Sequence, residues 1–177
     1  FTVTHIARFH PVKRHEYLLD CFSKSDINNY CINFIGDGEL LNAIKNKVKN
    51  SEMENNVVFH GYLEKVDVNN ILEHSDLTVL SSLSETFPLV LLESANKKVP
   101  FITTDVGDVV DMDPNHDFSW IVAINDKAAF VDAIEQAYKL WEEKLLSIKG
   151  EQAFKYLSKN FTLKMMAERT WEFYQNI

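Results

Sequence analysis

The run Ser84-Glu85-Thr86-Phe87-Pro88-Leu89-Val90-Leu91-Leu92-Glu93 combines a helix start with two carboxylates. Pro88 suits the first turn of a helix, because its missing N–H leaves nothing unsatisfied there and its fixed φ is already helical. The backbone N–H groups of Leu89 and Val90 then project from the helix start without partners, an arrangement that attracts anions, phosphate above all. Glu85 lies in the loop just ahead and Glu93 about one and a half turns into the helix. Carboxylates so placed can accept hydrogen bonds from sugar hydroxyls on either side of a diphosphate. Each also has a plainer reading, Glu85 as a carboxylate complementing the helix dipole and Glu93 as a solvated helix residue.

A second cluster is Ala7-Arg8-Phe9-His10-Pro11-Val12-Lys13. Arginine offers a planar fork of donors and lysine a compact point charge, and both neutralise diphosphates. Across a proline-bearing turn Arg8 and Lys13 can converge on one spot; read singly, they are solvated loop cations. The remaining candidates are weaker. His5, His10, His15, His60, His74 and His116 lack metal-ligand spacing and read as ordinary surface or strand-end residues. Gly36-Asp37-Gly38 lacks the third glycine of a dinucleotide fingerprint. Ser81, Ser82 and Ser84 lack a nucleophile elbow and read as a loop. Trp120, Trp141 and Trp171 read as residues that pack helices against a sheet.

Short β-branched runs alternate with stretches of helical period, the pattern of a parallel sheet flanked by helices. Strands are expected at 2–7, 30–35, 57–60, 77–81, 100–103 and 119–124, and helices near 14–25, 38–50, 65–74, 88–97 and 126–143. This is an α/β fold, a doubly wound parallel sheet of about six strands. Beyond Trp141 the pattern stays helical, through 145–159 and 162–175, as a C-terminal appendage. Ligands of such sheets bind at the carboxyl ends of the strands, where Arg8, Gly36, Gly61 and Glu85 should therefore share one edge.

The chain has 177 residues, 46% hydrophobic and 25% charged, with a formal net charge of -8. These values describe one folded domain of ordinary size and argue against a general attraction to nucleic acid or anionic lipid. Cys21 and Cys31 sit in apolar stretches and read as two buried thiols, which favours a reducing compartment. No apolar run reaches the ~20 residues of a membrane span, and no signal-peptide pattern opens the chain. Phe1 begins directly in strand-like sequence without an initiator methionine, so a preceding segment is expected.

Arg8 followed by Lys13, then Gly36-Asp37-Gly38, Gly61-Tyr62, and Glu85 and Glu93 enclosing Phe-Pro-Leu-Val-Leu-Leu, resemble the C-terminal domain of retaining GT-B glycosyltransferases of the family 4 group. Order and spacing match over nearly the whole chain, to the helix entered at Phe161. The resemblance implies a Rossmann-like nucleotide-sugar-binding domain over 1–144, with 145–177 as helices packing on the same domain. The N-terminal, acceptor-binding domain would lie outside this sequence, and the chain alone would be an incomplete enzyme.

By that resemblance Arg8 and Lys13 would hold the donor diphosphate and stabilise charge on the leaving nucleotide. Glu85 would bind hydroxyls of the transferred sugar and Glu93 those of the ribose. Thr86 abuts the sugar, and the amides of Phe87, Leu89 and Val90, around Pro88, line sugar and phosphate. Gly36, Gly61 and Tyr62 border the base. The implied donor is a UDP-, GDP- or ADP-sugar, with no metal and no other cofactor, since the two cations stand in for a divalent ion. The implied acceptor is a cell-envelope glycan or lipid-linked sugar, with a cytoplasmic location and peripheral association of the full-length protein at the cytoplasmic face of the membrane. The family has glycine where this chain has Ala7, Arg14, Thr86, Lys98 and Asp108, which narrows the site or changes its donor. Two other readings stay open on sequence grounds: a nucleotide-sugar-binding module without turnover, and a sugar-nucleotide epimerase of the same two-domain plan.

Overall fold

The computed structural model describes residues 1–175. Its strands are β1 (Thr2–Ile6), β2 (Cys31–Ile35), β3 (Val57–Gly61), β4 (Leu77–Leu80), β5 (Phe101–Thr104) and β6 (Ser119–Val122). The helices are α1 (His15–Phe22), α2 (Leu41–Lys49), α3 (Lys65–Glu73), α4 (Leu89–Asn96), α5 (Val109–Met112), α6 (Lys127–Glu142), α7 (Leu146–Asn160) and α8 (Leu163–Gln175). All strands pair in parallel, in the order β3-β2-β1-β4-β5-β6. The chain winds outward from β1 through β3, returns to β4 beside β1, and continues the other way. A crevice therefore opens between the carboxyl ends of β1 and β4, where neighbouring loops depart in opposite directions.

Alternation along the central strands feeds two cores, one on each face. Val79 and Ile102 join Leu18 and Phe22 of α1, Ile44 of α2, and Phe130 and Ile134 of α6. Their neighbours Leu80 and Phe101 join Leu91 and Ala95 of α4, Met112 of α5, and Ala153 and Leu157 of α7. In α6 the buried residues Phe130, Ala133, Ile134 and Ala137 recur at the three- and four-residue intervals of one helix face. Leu91 and Leu157 are leucines of the kind whose truncation to alanine costs about 2–5 kcal/mol.

Expected and observed elements differ at their ends. Pro88 is the residue before α4, with φ -78° and ψ 90°, rather than part of its first turn. Residues Pro11–Lys13 form a separate 3₁₀ turn, because Arg14 takes the left-handed conformation at φ 56° and breaks the path into α1. The four-residue α5 is too short to show a period and was not expected. Cys21 is buried, but Cys31 is only half-buried, at the first residue of β2. Trp120 and Trp141 pack against the first core, as expected, whereas Trp171 is exposed. Trp171 belongs to α8, which contributes no buried residue among those described. Among the described residues no helix is long and apolar enough to cross a membrane.

The seat of α7 rests on Gly150. A Cβ there would overlap the carbonyl of Lys98, in the turn between α4 and β5. Gly150→Ala should destabilise the chain by about 1–3 kcal/mol through forced displacement, although alanine is the better helix former by about 1 kcal/mol. Urea unfolding tests this, and an unchanged or raised midpoint would contradict so close a seat.

Candidate functional site

The loops after β1 and β4 wall the crevice, and they are tied together by their own backbones. Leu83 N–H donates to Val12 O (2.8 Å). Ser81 Oγ, fully buried at the end of β4, donates to Lys13 O (2.9 Å) and lies 3.3 Å from Arg14 O. This fixes where the Lys13 side chain starts, and its ammonium pairs with Glu85 Oε1. The same carboxylate oxygen accepts a hydrogen bond from Ser82 Oγ at 2.6 Å. The Lys13 and Glu85 side chains are 24% and 14% exposed, shielded enough for charge and hydrogen bond to reinforce one another. Glu85 thus does not cap α4, whose start has no side-chain cap at all.

A third loop supports Glu85 from behind. Asp108 N–H donates to Thr86 O (3.2 Å), and Gly107, at φ 56°, lies so close that a Cβ would overlap the carbonyls of Glu85 and Thr86. Thr104 Oγ1 donates to Ser82 O (2.6 Å). The carboxylate is therefore held by the ends of β4 and β5 together.

The other anticipated residues are distributed along the same edge. Arg8 is exposed at the end of β1 and, among the described residues, forms no ion pair. Gly36 N–H donates to Gly61 O (2.8 Å), so these two loops do meet, and Tyr62 beside them is 72% exposed. Phe87 stacks on Phe161 with ring centroids 5.8 Å apart. Thr86 and Leu89 are exposed, Val90 is half-buried and Pro88 is buried. Glu93 makes no contact with Glu85; it lies on the flank of α4 and pairs with Lys65 of α3 at 3.6 Å. Of the five positions where the resemblance expects glycine, Arg14 (φ 56°) and Lys98 (φ 60°) take the left-handed backbone that glycine would favour, and Ala7, Thr86 and Asp108 do not.

Sequence reasoning missed Ser81 and Ser82, and placed two histidines wrongly. His5 and His15 are buried beneath the Lys13 loop, with ring centroids 4.7 Å apart and His15 stacked on Phe9 at 4.0 Å. His5 Nδ1 meets Val79 O at 2.8 Å, while His5 Nε2 and both nitrogens of His15 have no partner among the described residues. Burial lowers the His5 pKa to about 4, partly offset by the Val79 bond. For His15, burial with the adjacent His5 and Lys13 lowers it to about 2. Both rings are neutral parts of the floor. The available signal was the place of His5 in a central strand covered on both faces, where Val3, Thr4 and His5 are all buried.

A family model described as glycosyl transferases group 1 matches residues 1–156. The chain belongs to that family. Among curated relatives it is 29% identical to N-acetyl-alpha-D-glucosaminyl L-malate synthase of Bacillus anthracis, over 98% of this chain and 45% of the relative. It is 26% identical to an Escherichia coli UDP-Gal:alpha-D-GlcNAc-diphosphoundecaprenol alpha-1,3-galactosyltransferase, with the same two coverages, 98% and 45%. The chain therefore spans about half the length of these relatives. Its fold matches that of Anabaena HepE in complex with UDP, with TM-score 0.85 at 16% identity over 100% of this chain and 49% of that one. A Rickettsia africae glycosyltransferase gives TM-score 0.84 at 21% identity, over 99% and 47%.

The neutral histidine floor has a pH signature. In the unfolded chain both histidines take up protons below pH ~6.5, whereas the folded chain excludes them until far lower pH. Each should therefore remove about 1.4 kcal/mol of stability per pH unit as pH falls from 6.5 towards 4. Urea titrations at pH 7, 6 and 5 on the wild type and His15→Phe should show a shallower decline in the variant. Parallel declines would mean that His15 is protonated in the fold.

Proposed function

We propose that this chain is the donor-binding half of a glycosyltransferase that moves a sugar from a nucleoside-diphosphate sugar to an acceptor with retention at the anomeric carbon. The observation that carries the reading is the Lys13–Glu85 pair beside the uncapped start of α4, in the crevice between β1 and β4. A cation, a carboxylate and free amides are there gathered within one loop cluster, which suits a ligand that is a diphosphate at one end and a sugar at the other.

In this reading the diphosphate lies against the first amides of α4, with Lys13 and Arg8 on its oxygens. When the bond from the anomeric carbon to the diphosphate breaks, the electron pair stays on the phosphate oxygen, and these donors stabilise the growing charge. No divalent ion is needed for that step. Glu85, relieved of part of its pairing with Lys13, accepts from a sugar hydroxyl, and Glu93 accepts from the ribose. Gly36, Gly61 and Tyr62 border the base, and a UDP-sugar is the first donor to test, in keeping with the names of the Escherichia coli relative and the Anabaena neighbour. The acceptor, a cell-envelope glycan or lipid-linked sugar, binds mainly to a further domain of the full-length protein. The length of the relatives supports such a domain, as do Leu163, Met166, Trp171, Phe173 and Tyr174, apolar residues that α8 leaves exposed.

Arg8→Ala and Lys13→Ala should each weaken UDP binding by about 1.5–3 kcal/mol in calorimetric titration, the value of a charge-assisted hydrogen bond. Wild-type affinity in both variants would place the phosphates elsewhere.

Glu93→Gln should weaken free UDP and UDP-sugars alike by about 1–3 kcal/mol, because all present the same ribose. Glu85→Gln should weaken only the sugar nucleotides. Equal effects of Glu85→Gln on both ligand classes would remove Glu85 from the sugar.

A further inference from the structure

Two adjacent serines close β4, and each holds one half of the charged pair. Ser81 and Ser82 are both fully buried. Ser81 binds the backbone of the cation loop through Lys13 O (2.9 Å), whereas Ser82 binds the carboxylate itself through Glu85 Oε1 (2.6 Å). Thr104 in turn fixes the Ser82 backbone (2.6 Å). Water cannot replace a hydroxyl sealed at that depth, so the orientation of each bond is dictated by the protein.

We infer that Ser82 is a positioning residue for sugar recognition, holding Glu85 in place when a bound diphosphate draws Lys13 away. The inference rests on the donor-binding reading above and adds a residue to it. In the free protein Glu85 Oε1 has two partners, Lys13 and Ser82. A diphosphate competes for the ammonium, since its oxygens carry more charge than one carboxylate. Once Lys13 turns towards it, Ser82 is the fixed donor left on that oxygen, and the second carboxylate oxygen can accept from a sugar hydroxyl. Without the hydroxyl, Glu85 is free to follow Lys13 onto its far side and to turn from the sugar. Ser81 acts differently, because it sets the origin of the Lys13 side chain and so serves the diphosphate whether or not a sugar is attached.

Calorimetric titration separates the two roles. The probes are UDP, UDP-glucose and UDP-N-acetylglucosamine, with GDP and GDP-mannose as the second base. Ser82→Ala should bind the preferred sugar nucleotide about tenfold more weakly and the matching free nucleotide less than threefold more weakly. Ser81→Ala should weaken both forms by similar factors. Ser82→Thr retains the hydroxyl and should keep the wild-type ratio of the two affinities, which a merely structural role would not predict. Thermal unfolding of each variant establishes that it is folded at the titration temperature, and Ser82→Thr against Glu85→Gln supplies the comparison if Ser82→Ala is not. A Ser82→Ala protein whose sugar-to-free ratio equals that of wild type overturns the role of Ser82 and leaves the donor site standing. A wild-type protein that binds none of these nucleotides, nor ADP and ADP-glucose, overturns the donor reading, and this inference with it.

Discussion

The site depends on the parallel pairing of β1 with β4. That junction is the one place in the sheet where adjacent strands send their chains in opposite directions, and it creates the gap that a ligand can enter. The gap alone would be a polar groove. It becomes specific because the loops bounding it are cross-linked, Leu83 to Val12 through backbone and Ser81 to Lys13 through a hydroxyl buried from water. With the loops so fixed, a lysine and a glutamate 72 positions apart have little freedom left except to meet. Little ordering entropy then remains to be spent on binding.

The balance of forces at the pair favours exchange over permanence. A half-shielded ion pair contributes modestly to stability, because desolvation offsets much of the attraction. Its presence in the free protein nonetheless keeps both charges satisfied, with Ser82 taking a share of the carboxylate. A ligand that offers an anion to the ammonium and a hydroxyl to the carboxylate replaces like with like. The neutral histidine layer beneath adds no competing charge, since His5 and His15 remain unprotonated against the nearby ammonium.

Much of the fold was legible in the sequence because sheet strands and amphipathic helices are written in local periodicities. Strands were expected within one or two residues of β1 to β6, and α6 was visible in the spacing of Phe130, Ala133, Ile134 and Ala137. Lys13 and Glu85 were each visible as candidates, but their contact was not, since no local pattern encodes a meeting across so many residues. Ser81 and Ser82 looked like loop polar groups because a serine is equally at home in solvent and under a sheet edge; only the tertiary contacts decide. The same ambiguity hid His5 and His15, whose burial follows from the central place of β1 and the stacking of Phe9 rather than from residue type. Arg14 and α8 mark the other limit. One adopts a backbone that favours glycine, and the other leaves Leu163, Met166, Trp171, Phe173 and Tyr174 exposed.

The order of the strands also sets when the crevice can come into being. β1, β2 and β3 are neighbours both in sequence and in the sheet, so this half can grow by successive short crossovers as the chain leaves the ribosome. β4 must instead return past that finished half to reach β1, where Thr2 N–H meets Asp76 Oδ2 across 74 positions. Closing so long a loop is entropically slow, and contacts of this range form late. The supports of Glu85 lie later still, since Thr104 and Gly107 follow β4 and belong to β5 and its loop. A nascent chain therefore presents the unpaired edge of β1, at Val3 and Thr4, well before it has a ligand site to protect, and that open edge is what chaperones and misfolding would compete for in that interval.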